Sequence, residues 1–164
     1  MRGSTVLDFH IVVVSDRIAG GESIDVSGEK AVEYLASRGF KVSGKTVVGN
    51  SYRDIVRVLR ESKSRVILFI GGTGPSPRDI TVDVLESLAW RELPGFGEAF
   101  RRLSSSTIGH RAILSRAGLY ILPDGRITVA LPGSTQALEV GLSILVDIVG
   151  HLAEEVDRFE GPHR

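Results

Sequence analysis

Residues 65–81, RVILFIGGTGPSPRDIT, constrain this chain more than any other stretch. Five apolar residues, Val66 to Ile70, run without a break into Gly71-Gly72-Thr73-Gly74, and two prolines then lead to Arg78-Asp79-Ile80-Thr81. A short apolar run bounded by glycines predicts a strand buried on both faces, as in a parallel sheet, with its C-terminal end opening into a loop. Glycines let backbone N–H groups approach a ligand closely, and a helix beginning near Asp79 would add the positive end of its dipole, which makes the loop a candidate anion site. No Gly-Lys-Ser/Thr follows at the Walker A spacing and there is no GxGxxG, so any phosphate is held by a different chemistry. A tight strand-to-helix turn is the plainer alternative.

The flanking chain repeats the pattern. His10 to Val14 predicts a strand that ends in Ser15-Asp16-Arg17 and a flexible Ala19-Gly20-Gly21, followed by a helix capped by Asp25 or Ser27 and ending at Gly39. Phe40 to Val48 alternates as a second strand, and Gly49-Asn50-Ser51 supplies a turn and a cap. Tyr52, Ile55, Val56 and Leu59 then recur at the spacing of one buried helical stripe. This β-α-β-α-β order implies parallel strands covered by helices, so the strand-end loops at 15–28, 49–51 and 71–81 are expected to converge on one crevice. Farther on, a helix over Asp79 to Leu88, a short helix from Pro94 through Leu103, a polar break at Ser104 to Thr107 and one or two helical turns over Ile108 to Arg116 are expected. Leu119 to Leu122 and Arg126 to Leu131 flank Pro123-Asp124-Gly125 as a hairpin. The second strand runs into Pro132-Gly133-Ser134 and a long apolar helix whose broad stripe, Leu138 to Leu152, suggests a subunit interface as well as a core contact. The fold class expected is three-layer α/β/α, with a mostly parallel sheet plus a C-terminal hairpin contribution, in one domain over 1–164 with loose ends at 1–7 and 155–164.

Composition narrows the function. Twenty basic and twenty acidic residues cancel, which argues against nucleic acid or a membrane surface as partner. Without cysteine there is no disulfide, thiolate nucleophile or thiolate metal site. The N-terminal residues lack a signal peptide's apolar region, no apolar run approaches the roughly 20 residues that span a bilayer, and a cytoplasmic location is the default expectation. The four histidines show no HxH or HxxxH spacing and no GxSxG elbow occurs, which disfavours a histidine metal site and a serine hydrolase.

Asp79 is the leading candidate for chemistry: a carboxylate where a glycine loop becomes a helix can hold a divalent cation beside bound phosphates, with helix capping as the alternative role. Ser15 and Asp16 follow a strand as either site residues or turn residues. Gly133 and Ser134 either bind an anion at the last helix's N-terminus or cap it.

Taken together, VVVSDR (12–17), Asp25-x-Ser27-Gly28, FIGGTGPSPRDIT (69–81), RELPGFGEAFR (91–101), ILSRA (113–117) and ALPGS (130–134) resemble the MoaB/MogA-like molybdopterin adenylyltransferases of molybdenum cofactor biosynthesis. The likeness runs in the same order over nearly the whole chain. It implies a homotrimer or hexamer, and a reaction of Mg²⁺ and ATP with molybdopterin that releases pyrophosphate. The pathway is that of molybdenum or tungsten cofactor, whose other biosynthetic proteins are possible partners. By this resemblance Gly71, Gly72, Thr73 and Gly74 surround the adenylyl phosphates, and Asp79 is catalytic and holds the metal. Ser15, Asp16, Ser27, Gly28, Ser115, Pro132, Gly133 and Ser134 lie in segments that surround nucleotide and pterin. Asn50 stands where the family typically has a second acid, so it joins Asp79 as a catalytic candidate without negative charge. The competing readings are a non-catalytic pterin-binding scaffold and a pyrophosphatase-type nucleotide enzyme on the same fold.

Overall fold

A computed structural model describes residues 7–159. One six-stranded sheet has the order β2-β1-β3-β6-β5-β4. Its strands are β1 (Asp8–Val14), β2 (Lys41–Val48), β3 (Val66–Ile70), β4 (Arg91–Glu92), β5 (Gly118–Ile121) and β6 (Ile127–Leu131). β1, β2, β3 and β6 run parallel, and β5 pairs antiparallel with both β6 and β4.

β3 sits between β1 and β6 and is buried at every position, which is why its sequence is continuously apolar rather than alternating. Val66, Leu68 and Ile70 face a core formed with α2 (Val26–Ser37), α5 (Pro94–Ile108) and α6 (Thr135–Val156). Ile67 and Phe69 face the other core, formed with α3 (Tyr52–Glu61) and α4 (Thr81–Leu88). The three-layer α/β/α architecture follows.

Several element boundaries differ from the expectation. Asp16–Ala19 forms a short helix, α1, because the Ser15 hydroxyl accepts from the Ile18 N–H and so caps it. α5 runs unbroken through Ser104–Thr107. Ser105 and Ser106 donate back to the carbonyls of Arg102 and Leu103, so their hydroxyls do not compete for the helix's own amides. A 3-10 helix over Gly109–Leu114 follows, and the two-residue strand β4 has too short a pattern to be seen in sequence. The end segments 1–6 and 160–164 lie outside the described residues. Of the tail expected to be loose, Glu155 and Val156 belong to α6.

α6 also corrects the expectation about bilayer-length segments. Its 22 residues include an 18-residue window of mean hydropathy 1.4, enough by length and composition to cross a membrane. Leu138, Leu142, Leu145 and Val149 are nevertheless buried in the core with β6, α2 and α5, which is the environment of a core helix. Gly141 permits the close crossing, since a Cβ there would collide with the Leu131 side chain.

His10, half-buried on β1, places its two ring nitrogens 2.8 Å from the hydroxyls of Ser62 and Thr46. Burial lowers its pKa from the ordinary 6.5, against the opposing pull of Asp8. The unfolded chain therefore takes up a proton at higher pH than the folded one, so this stabilisation is complete above about pH 6.5 and is lost as the pH falls through the folded value. The melting temperature should drop on acidification below that pH, and His10→Gln should flatten this part of the profile.

Candidate active site

The carboxyl ends of β1, β3 and β6 lie side by side, with Val13 opposite Ile70 and Ile70 opposite Leu131. The Gly71 N–H donates to the Leu131 carbonyl, so the glycine loop leaves the sheet directly against the end of β6. Gly71 and Gly72 have φ of +106° and +71°. A Cβ would strike the Val14 carbonyl oxygen at the first and the Thr81 hydroxyl at the second, so both positions require glycine for conformation and for space. Thr81 closes the loop by donating its hydroxyl to the Gly71 carbonyl (2.8 Å) and its N–H to the Gly72 carbonyl (3.1 Å).

α4 begins at Thr81, two residues later than expected, and its N-cap Ile80 makes no side-chain cap. Asp79 is therefore not a helix cap. Its Oδ2 accepts the Ser76 N–H at 3.1 Å, while its N–H donates to the Ser76 carbonyl at 2.9 Å. The carboxylate also lies so close to Gly74 that a Cβ there would be 2.7 Å from Oδ2.

A cavity of about 360 Å³ opens beside this loop. Gly72, Thr73, Gly74 and Asp79 form one wall, and Ser115, Pro132, Gly133 and Ser134 form another. Phe100, Ile108, Ala112, Leu114 and Ala137 provide an apolar lobe. Ser134 caps α6 by accepting the Ala137 N–H at 3.3 Å, so the positive end of a 22-residue helix borders the same space. Eight residues singled out in the sequence thus border one concavity, and Gly71 begins the loop that forms one of its walls.

Asp16 and Asn50 form a neighbouring cluster outside that lining. Asp16 Oδ1 accepts the Asn50 N–H at 2.8 Å, and its Oδ2 accepts from Asn50 Nδ2 at 3.2 Å and from Arg78 Nη2 at 2.9 Å. The hydrogen bond from Arg78 and then those from Asn50 hold the Asp16 pKa below the ordinary carboxylate value. Through Arg78 the β1 and β2 loops reach the residue beside Asp79. Asn50→Asp would set a second carboxylate against Asp16 and remove a donor. We expect a lower melting temperature at pH 7, with the gap from wild type closing toward about pH 4 as carboxylates protonate. Ser27 and Gly28 are also outside the cavity. They lie buried in the first turn of α2, where Asp25 Oδ1 accepts the Gly28 N–H at 2.8 Å and a Cβ on Gly28 would sit 2.7 Å from Val13 Cγ2.

Among the polar residues at or beside the cavity, Ser104, Arg111 and Arg116 were not singled out from sequence. Ser104, read as part of a polar break, is buried beside the cavity with its hydroxyl lacking a hydrogen-bond partner. Its available signal was helical spacing, since Phe96, Phe100 and Ser104 recur every four residues on the buried face of α5. Arg116 lay within the quoted ILSRA segment, yet its contacts are with residues more than thirty positions away.

The family described as "Probable molybdopterin binding domain" matches residues 10–151. The molybdopterin adenylyltransferase of Pyrococcus furiosus is 36% identical over 149 residues, covering 88% of each chain. Molybdenum cofactor biosynthesis protein B of Halalkalibacterium halodurans is 36% identical over 138 residues, covering 80% of this chain and 81% of that one. Among solved structures, the tungsten cofactor synthesizing protein MoaB from Pyrococcus furiosus superimposes with a TM-score of 0.87 at 31% identity, covering 93% of this chain and 98% of its own. A molybdopterin biosynthesis protein from Mycobacterium abscessus gives a TM-score of 0.84 at 31% identity, covering 93% and 97%. With the match extending from β1 into α6 and the same fold in its relatives, this chain belongs to the family of molybdopterin-binding domains.

Proposed function

We propose that this protein is an adenylyltransferase of molybdenum or tungsten cofactor biosynthesis, transferring AMP from ATP to the terminal phosphate of molybdopterin. The observation that carries this reading is the single cavity in which the glycine loop, Asp79 and the α6 N-terminus face one another. A phosphate oxygen of molybdopterin forms a bond to the α-phosphorus of ATP, the bond to the bridging oxygen toward the β-phosphorus breaks, and pyrophosphate leaves with the electron pair. No protein nucleophile is consumed, so the protein's work is to position two anions and stabilise their charge. The backbone N–H groups of the glycine loop and the α6 terminus suit phosphate oxygens, and the apolar lobe suits a heteroaromatic ring.

For Mg²⁺ the donor chemistry fits. No group of three or more acidic or histidine side chains placed to hold a metal ion exists among the described residues, but Mg²⁺ is commonly held by one or two carboxylates together with substrate phosphates and water. Asp79, with one carboxylate oxygen engaged by Ser76, would hold the ion, which when bound supplies charge neutralisation. Ser15, Asp16 and Asn50 orient the adjoining loops in this reading, and Ser27 and Gly28 set the α2 start behind them. A cytoplasmic homotrimer or hexamer completes this reading, and the half-buried apolar row Val140, Ile144, Ile148 and Leu152 along α6 offers a face for self-association.

The test is pyrophosphate release from ATP by the purified protein with Mg²⁺ and molybdopterin. Release dependent on both substrates is expected. One observation favours a second reading, a pterin-binding scaffold: Asn50 supplies no charge and is engaged by Asp16. Tight molybdopterin binding without pyrophosphate release would decide for that scaffold, and nucleotide hydrolysis without pterin for a pyrophosphatase-type enzyme.

A further inference from the structure

The loop from Gly71 to Ile80 contains no helix or strand, so its shape depends on individual hydrogen bonds. Most of these are local: Asp79 with Ser76, Arg78 with Ser76, and Thr81 with Gly71 and Gly72. A bond between neighbours closes a small ring but does not set where the ring stands relative to the rest of the cavity. The Arg78 to Asp16 pair does reach outside, but its side chains are 74% and 43% exposed and it is correspondingly weak.

The Gly71 N–H bond to the Leu131 carbonyl anchors only the start of the loop, and Arg116 supplies the long-range ties farther along it. Its N–H donates to the Thr73 carbonyl (2.8 Å), Nε to the Gly74 carbonyl (3.0 Å) and Nη2 to the Asp79 carbonyl (2.7 Å). Nη1 and Nη2 also grip both carboxylate oxygens of Asp83, at 2.9 and 3.0 Å, which fixes the plane of the guanidinium against α4. The backbone on either side of Arg116 is held in turn, because Arg101 on α5 donates to the carbonyls of Ser115 and Ala117. A continuous set of bonds therefore runs from α5 through Arg116 to both walls of the cavity.

We propose that Arg116 is a positioning residue that fixes the glycine loop and Asp79 against the Ser115 wall, and so acts on the reaction through the placement of Asp79. The catalytic part rests on the adenylyltransferase reading, whereas the positioning part is measurable without it. Only a planar fork can reach Gly74, Asp79 and Asp83 together, so lysine is not a conservative replacement here.

The test uses Arg116→Ala and Arg116→Lys, with Asp83→Asn as a milder variant that keeps the arginine. Hydrogen exchange on the ligand-free protein should show amides of residues 73–83 exchanging more than about tenfold faster in Arg116→Ala, the consequence of losing charge-assisted bonds. β1, β3 and β6 should keep their protection, showing that the fold survives. In the pyrophosphate assay kcat should fall about 100-fold with a much smaller rise in KM, as for a displaced catalytic group. Millimolar guanidinium should restore both readouts in Arg116→Ala, and lysine should not. Unchanged exchange in the loop of a folded variant overturns the proposal. If the wild type releases no pyrophosphate while loop exchange rises and guanidinium reverses it, the adenylyltransferase reading falls and the positioning role stands. Should Arg116→Ala not fold, Asp83→Asn and Arg116→Lys must reproduce faster loop exchange, and a failure to do so overturns the proposal as well.

Discussion

Asp79→Asn is expected to lower pyrophosphate release about 100-fold or more while leaving molybdopterin affinity within a few fold of wild type. The change is nearly isosteric. An amide oxygen can still accept the Ser76 N–H that the Asp79 carboxylate accepts at 3.1 Å, and the backbone bond from Arg116 to the Asp79 carbonyl is untouched. The cavity wall should therefore keep its shape and lose only a negative charge. If Asp79 is there to hold a cation beside phosphates, charge is the property that matters. Steady-state pyrophosphate release together with calorimetric pterin binding separates the two effects. A variant that turns over at the wild-type rate would remove Asp79 from the chemistry. Parallel loss of pterin binding would make it a binding residue.

The largest stability effect is expected at Phe69→Ala. Phe69 is completely buried on the central strand and faces the core that β3 shares with α3 and α4, beside Val12, Ile55 and Leu85. Truncating a fully buried phenylalanine costs about 3–5 kcal/mol, from lost transfer energy and from the cavity left behind. Urea denaturation should show a lower midpoint with an unchanged slope, the pattern of a destabilised native state rather than an altered unfolded one. A loss under about 1 kcal/mol would mean that α3 and α4 collapse into the gap, since the cost grows with the volume that stays empty.

Much of the architecture was legible because burial leaves a pattern in sequence. Val66 to Ile70 is apolar throughout since helices cover both faces of β3, and Pro123-Asp124-Gly125 announced the turn between β5 and β6. The segment 104–107 reads as a break in sequence for a related reason: serines resemble a loop, whereas here the Ser105 and Ser106 hydroxyls bond back to the helix. Asp79 illustrates both sides. Its place after a glycine loop marked it as a candidate, but only the structure separates it from the helix terminus at Thr81 that would have made it a cap.

Residues 65–81 remain the centre of the molecule. The sequence alone determined that a doubly buried strand ends there in a glycine loop, and that Asp79 and the 132–134 turn are candidates for one site, because strand burial and glycine placement are local properties. The tertiary structure alone decided that Arg116 ties that loop to Asp83, that Asp16 engages Asn50 and Arg78, and that the Ser104 hydroxyl is buried beside the cavity without a partner. Those facts depend on which distant carbonyls, carboxylates and side chains the strand order brings within hydrogen-bond range, and no periodicity along the chain encodes that proximity.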